Sequence, residues 1–425
     1  IENVKRLRNH PSLALWCGNN EDLLVWYKYN WKSRYPREVA TKLWDDYKNL
    51  FLKMLPGIVN EYDPKTAYWP SSPSSYYNKI PDKKSGDEHE WRIWYETAPF
   101  SAYADRPGRF VSEYGLQSFP CLKTLHTFAN DSDLDVHSSL MEFRQRSKMP
   151  WINPSMNGNQ MMSNYIQMYY NDPSGFESFV YVSQVAQSEA LKAAIEAHRI
   201  NRPRCMGSLY WQLNDCWPTM SWSTIDYYGL WKPAHYAVRR AFANVAIIPE
   251  LTNGRLNVYA VNDSLASMKA ELRLKVMDFT GNGIWNFSDT LTLNSDTAQL
   301  LWKGHEYQVC PKLLNFKVFL LAQLVVKGKV IAENTLTFID PKYLDLLVPD
   351  ISFKVTAAGD HFDVTVIADK FAKNVFLDTY EKSAQFSDNN FDLLPGREIR
   401  LSVIYPGTSG ELQNDLKIYS LADSY

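Results

Sequence analysis

Asn9-His10-Pro11-Ser12-Leu13-Ala14-Leu15-Trp16-Cys17-Gly18-Asn19-Asn20-Glu21 begins with polar residues and a proline, continues through a short apolar run, and halts at glycine just before a carboxylate. The run 13–16 is long enough for one buried strand and too short for a helix. In a parallel α/β barrel the C-terminal ends of the strands form the face that meets ligands. An Asn-Asn-Glu tripeptide there would be presented, not hidden. Arg109-Phe110-Val111-Ser112-Glu113-Tyr114-Gly115 repeats the design: a short apolar strand, a glutamate, a closing glycine.

Outward from these two stretches, residues 1 to about 245 alternate strand and helix signals, as parallel sheets and barrels do. Pro36 opens a helix carrying Val39, Leu43, Tyr47, Leu50, Phe51 and Met54, which Pro56 is expected to end. Residues 66–70 read as a strand entering a Ser/Pro loop, and 150–170 as an extended loop. A long helix is expected over 176–199, a last strand over 206–213 and a closing helix over 233–242. From about 246 the period falls to two, as in 271–276 and 362–366, and 325–331 reads as a hairpin. Asp340-Pro341 marks a boundary between two small β-sandwiches. The division is therefore 1–245, 246–340 and 341–425. About five strand signals precede 245 where a closed (β/α)8 barrel needs eight, so the expected fold is a partial barrel, roughly strands 4–8, followed by two immunoglobulin-like sandwiches.

Composition narrows the chemistry. A net charge of -2 over 425 residues makes no electrostatic case for nucleic acid or an anionic membrane. The longest apolar run, near 319–326, is too short to span a bilayer. Five dispersed cysteines form neither a zinc spacing nor a readable disulfide framework, and most are expected as buried thiols. Asp87-Glu88-His89-Glu90 lacks a second histidine at ligand spacing, so no metal and no cofactor is expected. Aromatic residues reach 14%, and flat rings with polar edges suit the C–H faces of sugars. Two strand-end glutamates are what glycoside hydrolysis requires: one protonated to release the leaving oxygen, one ionised to meet the anomeric carbon. Glu21 is expected as the acid/base, its pKa raised by the charge of Glu113.

The motifs His10-Pro11-Ser12-Leu13…Gly18-Asn19-Asn20-Glu21, Phe110-Val111-Ser112-Glu113-Tyr114-Gly115 and Tyr210-Trp211-Gln212-Leu213-Asn214-Asp215 resemble, in this order, those of glycoside hydrolase family 2. Trp69-Pro70-Ser71-Ser72-Pro73 and Gly86-Asp87-x-His89-x-Trp91 resemble its β-mannosidases more than its galactosidases or glucuronidases. The resemblance implies a retaining exo-β-mannosidase acting on terminal β-mannosides, with Glu113 as nucleophile and Glu21 as acid/base. It implies Asn20 near the sugar 2-hydroxyl and Trp211 as the floor of the sugar site. Tyr95, His89 and Trp91 are further pocket candidates, with Trp26 or Trp31 toward the leaving group. Other exo-β-glycosidases of the family and a non-catalytic carbohydrate-binding fragment are the rival readings. The family's N-terminal domains and first barrel strands would precede Ile1, so the chain alone is expected to turn over little or no substrate. Secretion, a periplasm or a lysosome all fit these motifs.

Overall fold

The computed structural model describes residues 1–425. The chain forms two compact units, one of residues 1–91, 104–114 and 203–210, the other of residues 92–103, 115–202 and 211–425.

The first unit is built on parallel strand pairs. Strand β1 (Leu15–Cys17) runs beside β2 (Ala67–Trp69), with Trp16 opposite Tyr68. Strand β3 (Glu88–His89) runs beside β4 (Val111–Glu113), and Val111 bridges Ser208 in parallel. The expected last strand at 206–213 is thus reduced to a single bridge at Ser208. Leu15 is 47% exposed, so the opening run is a short strand but not a buried one. Between β1 and β2 the chain is helical over Arg37–Asn49, widens to a π turn over Leu50–Met54, and resumes over Leu55–Tyr62. Pro56 does not stop this helix, because it occupies the first turn of the resumed segment, where no amide donor is missed. The apolar stripe predicted here is open: Val39, Leu43, Leu50 and Met54 are all exposed.

The second unit holds the long helix Phe176–Ile200. Ala186, Ala190 and Ala194 are buried along it, and small side chains at fourth-residue spacing permit close packing. Gln187 satisfies three carbonyls, those of Leu116, Trp222 and Ser223, while accepting from the Ser118 hydroxyl. The stretch predicted as loop contains a helix, Gly158–Tyr169. Asn157 caps it by accepting from the amides of Asn159 and Gln160, and Met161, Met162, Tyr165, Ile166 and Tyr169 form its buried face. The polar Asn/Gln content of the segment masks that periodicity.

Two immunoglobulin-like sandwiches complete this unit. In the first, β5 (Val245–Thr252), β6 (Arg255–Asn262) and β9 (Thr297–His305) form one sheet. Its partner sheet has the order β11 (Lys329–Thr337), β10 (Val318–Val326), β7 (Met268–Asp278), β8 (Gly283–Leu293). Strand β7 shows the period of two: Leu272, Leu274 and Val276 point into the core, and Glu271 pairs with Arg273 on the other face. Strand β10 is apolar on both faces because both are covered. Leu320, Ala322 and Leu324 join the sandwich core, whereas Phe319 and Leu321 pack with Phe279, Phe371 and Leu394. The 325–331 hairpin forms as expected, turning at Lys327-Gly328 with positive φ at both residues.

The second sandwich packs a sheet of order β12 (Ile351–Ala358), β13 (His361–Ala368), β17 (Ile399–Ile404), β15 (Gln385–Phe386) against a sheet of order β16 (Phe391–Leu393), β14 (Ala372–Thr379), β18 (Leu416–Tyr419). Val364, Val366, Val375, Leu377, Leu401 and Val403 fill the space between them. Of the cysteines, Cys121, Cys205 and Cys310 are buried and Cys17 and Cys216 exposed, all as free thiols. No helix is long and apolar enough to cross a membrane.

The Phe279–Phe319–Phe371 cluster joins the two sandwiches, with Phe319 and Phe371 stacked at 4.1 Å between centroids. Phe371→Ala should lower stability by about 3–5 kcal/mol, the usual cost of emptying a buried phenylalanine site. Denaturant unfolding followed by fluorescence measures this, and an unchanged midpoint would show that the cluster does not hold the sandwiches.

Candidate active site

The ends of the four strands in the first unit are fixed by backbone and side-chain hydrogen bonds. Gly18 admits no side chain, since a Cβ there would lie 2.4 Å from both the Pro70 carbonyl oxygen and the Tyr68 hydroxyl. Past it, Asn19 donates to the Pro70 carbonyl and accepts from the Ser71 hydroxyl. Asn20 bridges Ser72 in parallel, and the Glu21 amide donates to the Ser72 carbonyl. Glu21 has φ of 64°, a left-handed conformation that costs a non-glycine residue energy and recurs at functional positions. On the other pair, the Glu90 amide donates to the Glu113 carbonyl and fixes β4 against the chain leaving β3.

These backbones bring Glu21, His89, Trp91 and Glu113 together. His89 Nδ1 lies 2.8 Å from Glu21 Oε1 and 3.3 Å from Glu113 Oε2, so one N–H is shared between two carboxylates. One donor atom from each of the three residues lies within 4.8 Å of the others. Trp91 Nε1–H donates to Glu113 Oε2 at 3.2 Å. The His89 side chain is 2% exposed, Glu113 14% and Glu21 30%. The imidazole is therefore a wall of the site, with Glu21 its most open member.

Behind His89 stands a second hydrogen-bonded layer. Nε2 lies 3.0 Å from Ser72 Oγ, which donates to Asp87 Oδ2 at 2.5 Å. Ser112 donates to the same oxygen at 2.7 Å, and the Ser74 amide to Asp87 Oδ1 at 2.9 Å. A hydroxyl has one proton, and Ser72 gives it to Asp87, which leaves a lone pair facing Nε2. Nδ1 faces the two carboxylates, so the ring is engaged on both sides. Gly86, at φ 67°, makes the turn that delivers Asp87, and a Cβ there would collide with the Ser74 carbonyl at 1.8 Å.

Burial lifts the Glu113 carboxyl above the usual carboxylate range, opposed by His89 and reinforced by the charge of Glu21. The lift thus falls on the glutamate expected as nucleophile, because it is the more enclosed of the two. Glu21, His89 and Glu113 also form a donor set of metal type, in which His89 Nδ1 faces both carboxylates.

The remaining candidates are placed separately. Asn20 is exposed beside Glu21 in sequence, and Trp26 stacks on Trp44 at 6.1 Å. Trp31 is 40% exposed with the Arg34 guanidinium over its ring. Tyr95 and Trp211 belong to the other unit. There Tyr95 lies 5.9 Å from the Trp151 ring, and Trp211 is 42% exposed, its carbonyl against Gly115. The serines behind His89 were not foreseen. Ser112 alternates with Glu113 on β4, and Ser72 follows β2, but neither position announces a hydroxyl partner for a distant histidine.

Comparison with known proteins follows this geometry. Residues 254–343 match the mannosidase Ig/CBM-like domain family, and residues 346–424 match a mannosidase Ig-fold domain family. β-Mannosidase B of Aspergillus niger is 29% identical over 93% of this chain and 49% of its own length. That of Aspergillus flavus is 33% identical over 93% of this chain and 48% of its own. The crystal structure of a β-D-mannosidase from Dictyoglomus thermophilum superposes with a TM-score of 0.83 at 28% identity, over 98% of this chain and 49% of that one. This chain is a relative of the β-mannosidases. It spans about half the length of the curated relatives it matches. An exo-chitosanase from Amycolatopsis orientalis, at 18% identity and a TM-score of 0.67, shares the fold.

The raised Glu113 carboxyl has a consequence for stability. A carboxyl whose folded pKa exceeds its unfolded one binds more protons when folded, so its contribution to stability declines as pH rises through the interval between them. Glu113→Gln should therefore raise the melting temperature near neutral pH, and the gain should shrink as pH falls toward the ordinary carboxylate range and vanish below it. Melting scans across pH measure it; a loss of stability at neutral pH would mean that the charge is fully compensated.

Proposed function

We propose that this chain carries the acid pair of a retaining exo-β-mannosidase, which removes terminal β-linked mannose from the non-reducing end of its substrates. One observation carries the reading: two glutamates from different strands converge on a single imidazole N–H, with oxygens within 4.8 Å. Retaining enzymes hold their carboxyls about 5–5.5 Å apart, inverting ones about 6.5–9.5 Å. The approach seen here supports the retaining spacing, in which the second carboxylate itself, and not a water held by it, meets the anomeric carbon. The similarity to β-mannosidases supports mannose as the sugar.

In this reading Glu113 attacks the anomeric carbon while Glu21 gives its proton to the glycosidic oxygen, and the bond to the leaving group breaks. Glu21, now a carboxylate, takes a proton from water as that water displaces Glu113 and frees mannose. Trp91 and His89 hold the Glu113 carboxylate by hydrogen bonds, so it attacks from a fixed position. His89 also faces Glu21, and its positive end favours whichever glutamate is ionised at each step. Asn20 would bind near the 2-hydroxyl and Trp211 would support the sugar, with Tyr95 a further pocket residue, as in the family the motifs resemble. Residues 1–245 would be the later part of a (β/α)8 barrel, which the parallel pairing of β1 with β2 and β3 with β4 supports, and 246–340 and 341–425 its sandwich modules.

In the full-length protein, Glu21→Gln should cost about 10²–10⁴-fold in hydrolysis of an unactivated β-mannoside, the usual worth of a general acid, and Glu113→Gln should abolish turnover. A 2-fluoro-mannosyl inhibitor should become attached to Glu113, detected by peptide mass spectrometry; attachment elsewhere would refute the role. His89→Asn removes a group that holds the Glu113 pKa down, so the acid limb of kcat/KM should move to higher pH. A panel of nitrophenyl β-glycosides tests the sugar, and the same assay on the 425-residue chain tests its expected low turnover.

A further inference from the structure

A second cavity, of about 420 Å³, lies within the second unit and shares no residue with the Glu21–His89–Glu113 group. This volume falls in the range of small-ligand sites. Its apolar lining includes Tyr236 and Phe386, both buried members of the second sandwich core. Trp231 and Tyr228 also line it and stay open to solvent, 37% and 54% exposed. Trp231 is held by the rings of His235 at 4.3 Å and Tyr236 at 5.2 Å, with the Arg239 guanidinium 6.0 Å from its centroid.

Two groups of opposite charge line the same cavity, each acting on the other. Lys123 is half-buried, and the charges of Asp378, Asp415 and Glu381 act on its ammonium. Desolvation lowers its pKa, and the neighbouring carboxylates offset this only in part. Asp378 accepts the Thr379 amide through Oδ1 and leaves Oδ2 uncommitted. Burial lifts this carboxyl to about 6.

The lining discriminates among ligand classes. An anion would meet Lys123 but be repelled by Asp378, and a cation would meet the reverse. A purely apolar ligand would strip water from both charges and give nothing back. A flat, neutral molecule with hydroxyls on its rim satisfies all three features: C–H groups on the aromatic rings, an oxygen accepting from Lys123, a hydroxyl donating to Asp378.

We propose that this cavity is a second, non-catalytic saccharide-binding site that takes one pyranose ring. It stands independently of the roles given to Glu21 and Glu113. The test is calorimetric titration of the full-length protein with D-mannose and with β-1,4-mannobiose, comparing Tyr228→Ala and Lys123→Met with the parent. Tyr228 is exposed, so its replacement leaves the core intact. Both variants should weaken one binding component by about tenfold, the loss expected for one charge-assisted hydrogen bond or one stacking surface. Hydrolysis of a small nitrophenyl glycoside should stay unchanged. Binding that both variants leave intact, or that Glu21→Gln alone abolishes, would overturn the proposal, as would absence of saturable binding. Glycine serves as control: if it binds through Lys123 and Asp378 in place of sugar, the site is for a zwitterion and not a saccharide.

Discussion

Two carboxylates held within 4.8 Å of one another repel, and a structure that places them so must supply a donor between them. His89 does this with a single N–H directed at Glu21 and Glu113 together. The imidazole is almost wholly buried, so its orientation is set from behind, by Ser72 and through Ser72 by Asp87. Asp87 in turn is held by Ser112 and the Ser74 amide. Each of these residues sits at or beside a strand end. Strand pairing thus sets the register of the backbones, and the hydrogen-bonded chain converts that register into a fixed spacing of the two acids.

The glutamates were legible because short apolar runs ending in a carboxylate and a glycine are rare, and Gly18 shows why glycine is needed there. The sandwiches were legible too, since β7 and β13 alternate apolar and polar residues as one-sided strands must. Other features were not. The helix 158–169 hides behind asparagines and glutamines, of which Asn157 and Asn159 are committed to capping and internal hydrogen bonds. The helix after Pro36 keeps its apolar stripe exposed, which periodicity alone does not reveal. The layer behind His89 joins residues 15 to 40 apart in sequence, and no local pattern records such a pairing.

The burial of Glu113 was less legible. The sequence offers the charge of one glutamate acting on the other, but not which of them the fold encloses. In the structure burial raises Glu113, and its neighbours Trp91 and His89 only partly offset that.

The central claim is that one imidazole fixes two glutamates at the spacing of a double displacement. Proton NMR of the first sugar released from a β-mannoside by the full-length protein, recorded before mutarotation, tests this most directly. The account predicts that β-mannose appears first and equilibrates afterwards; α-mannose as the first product would contradict it.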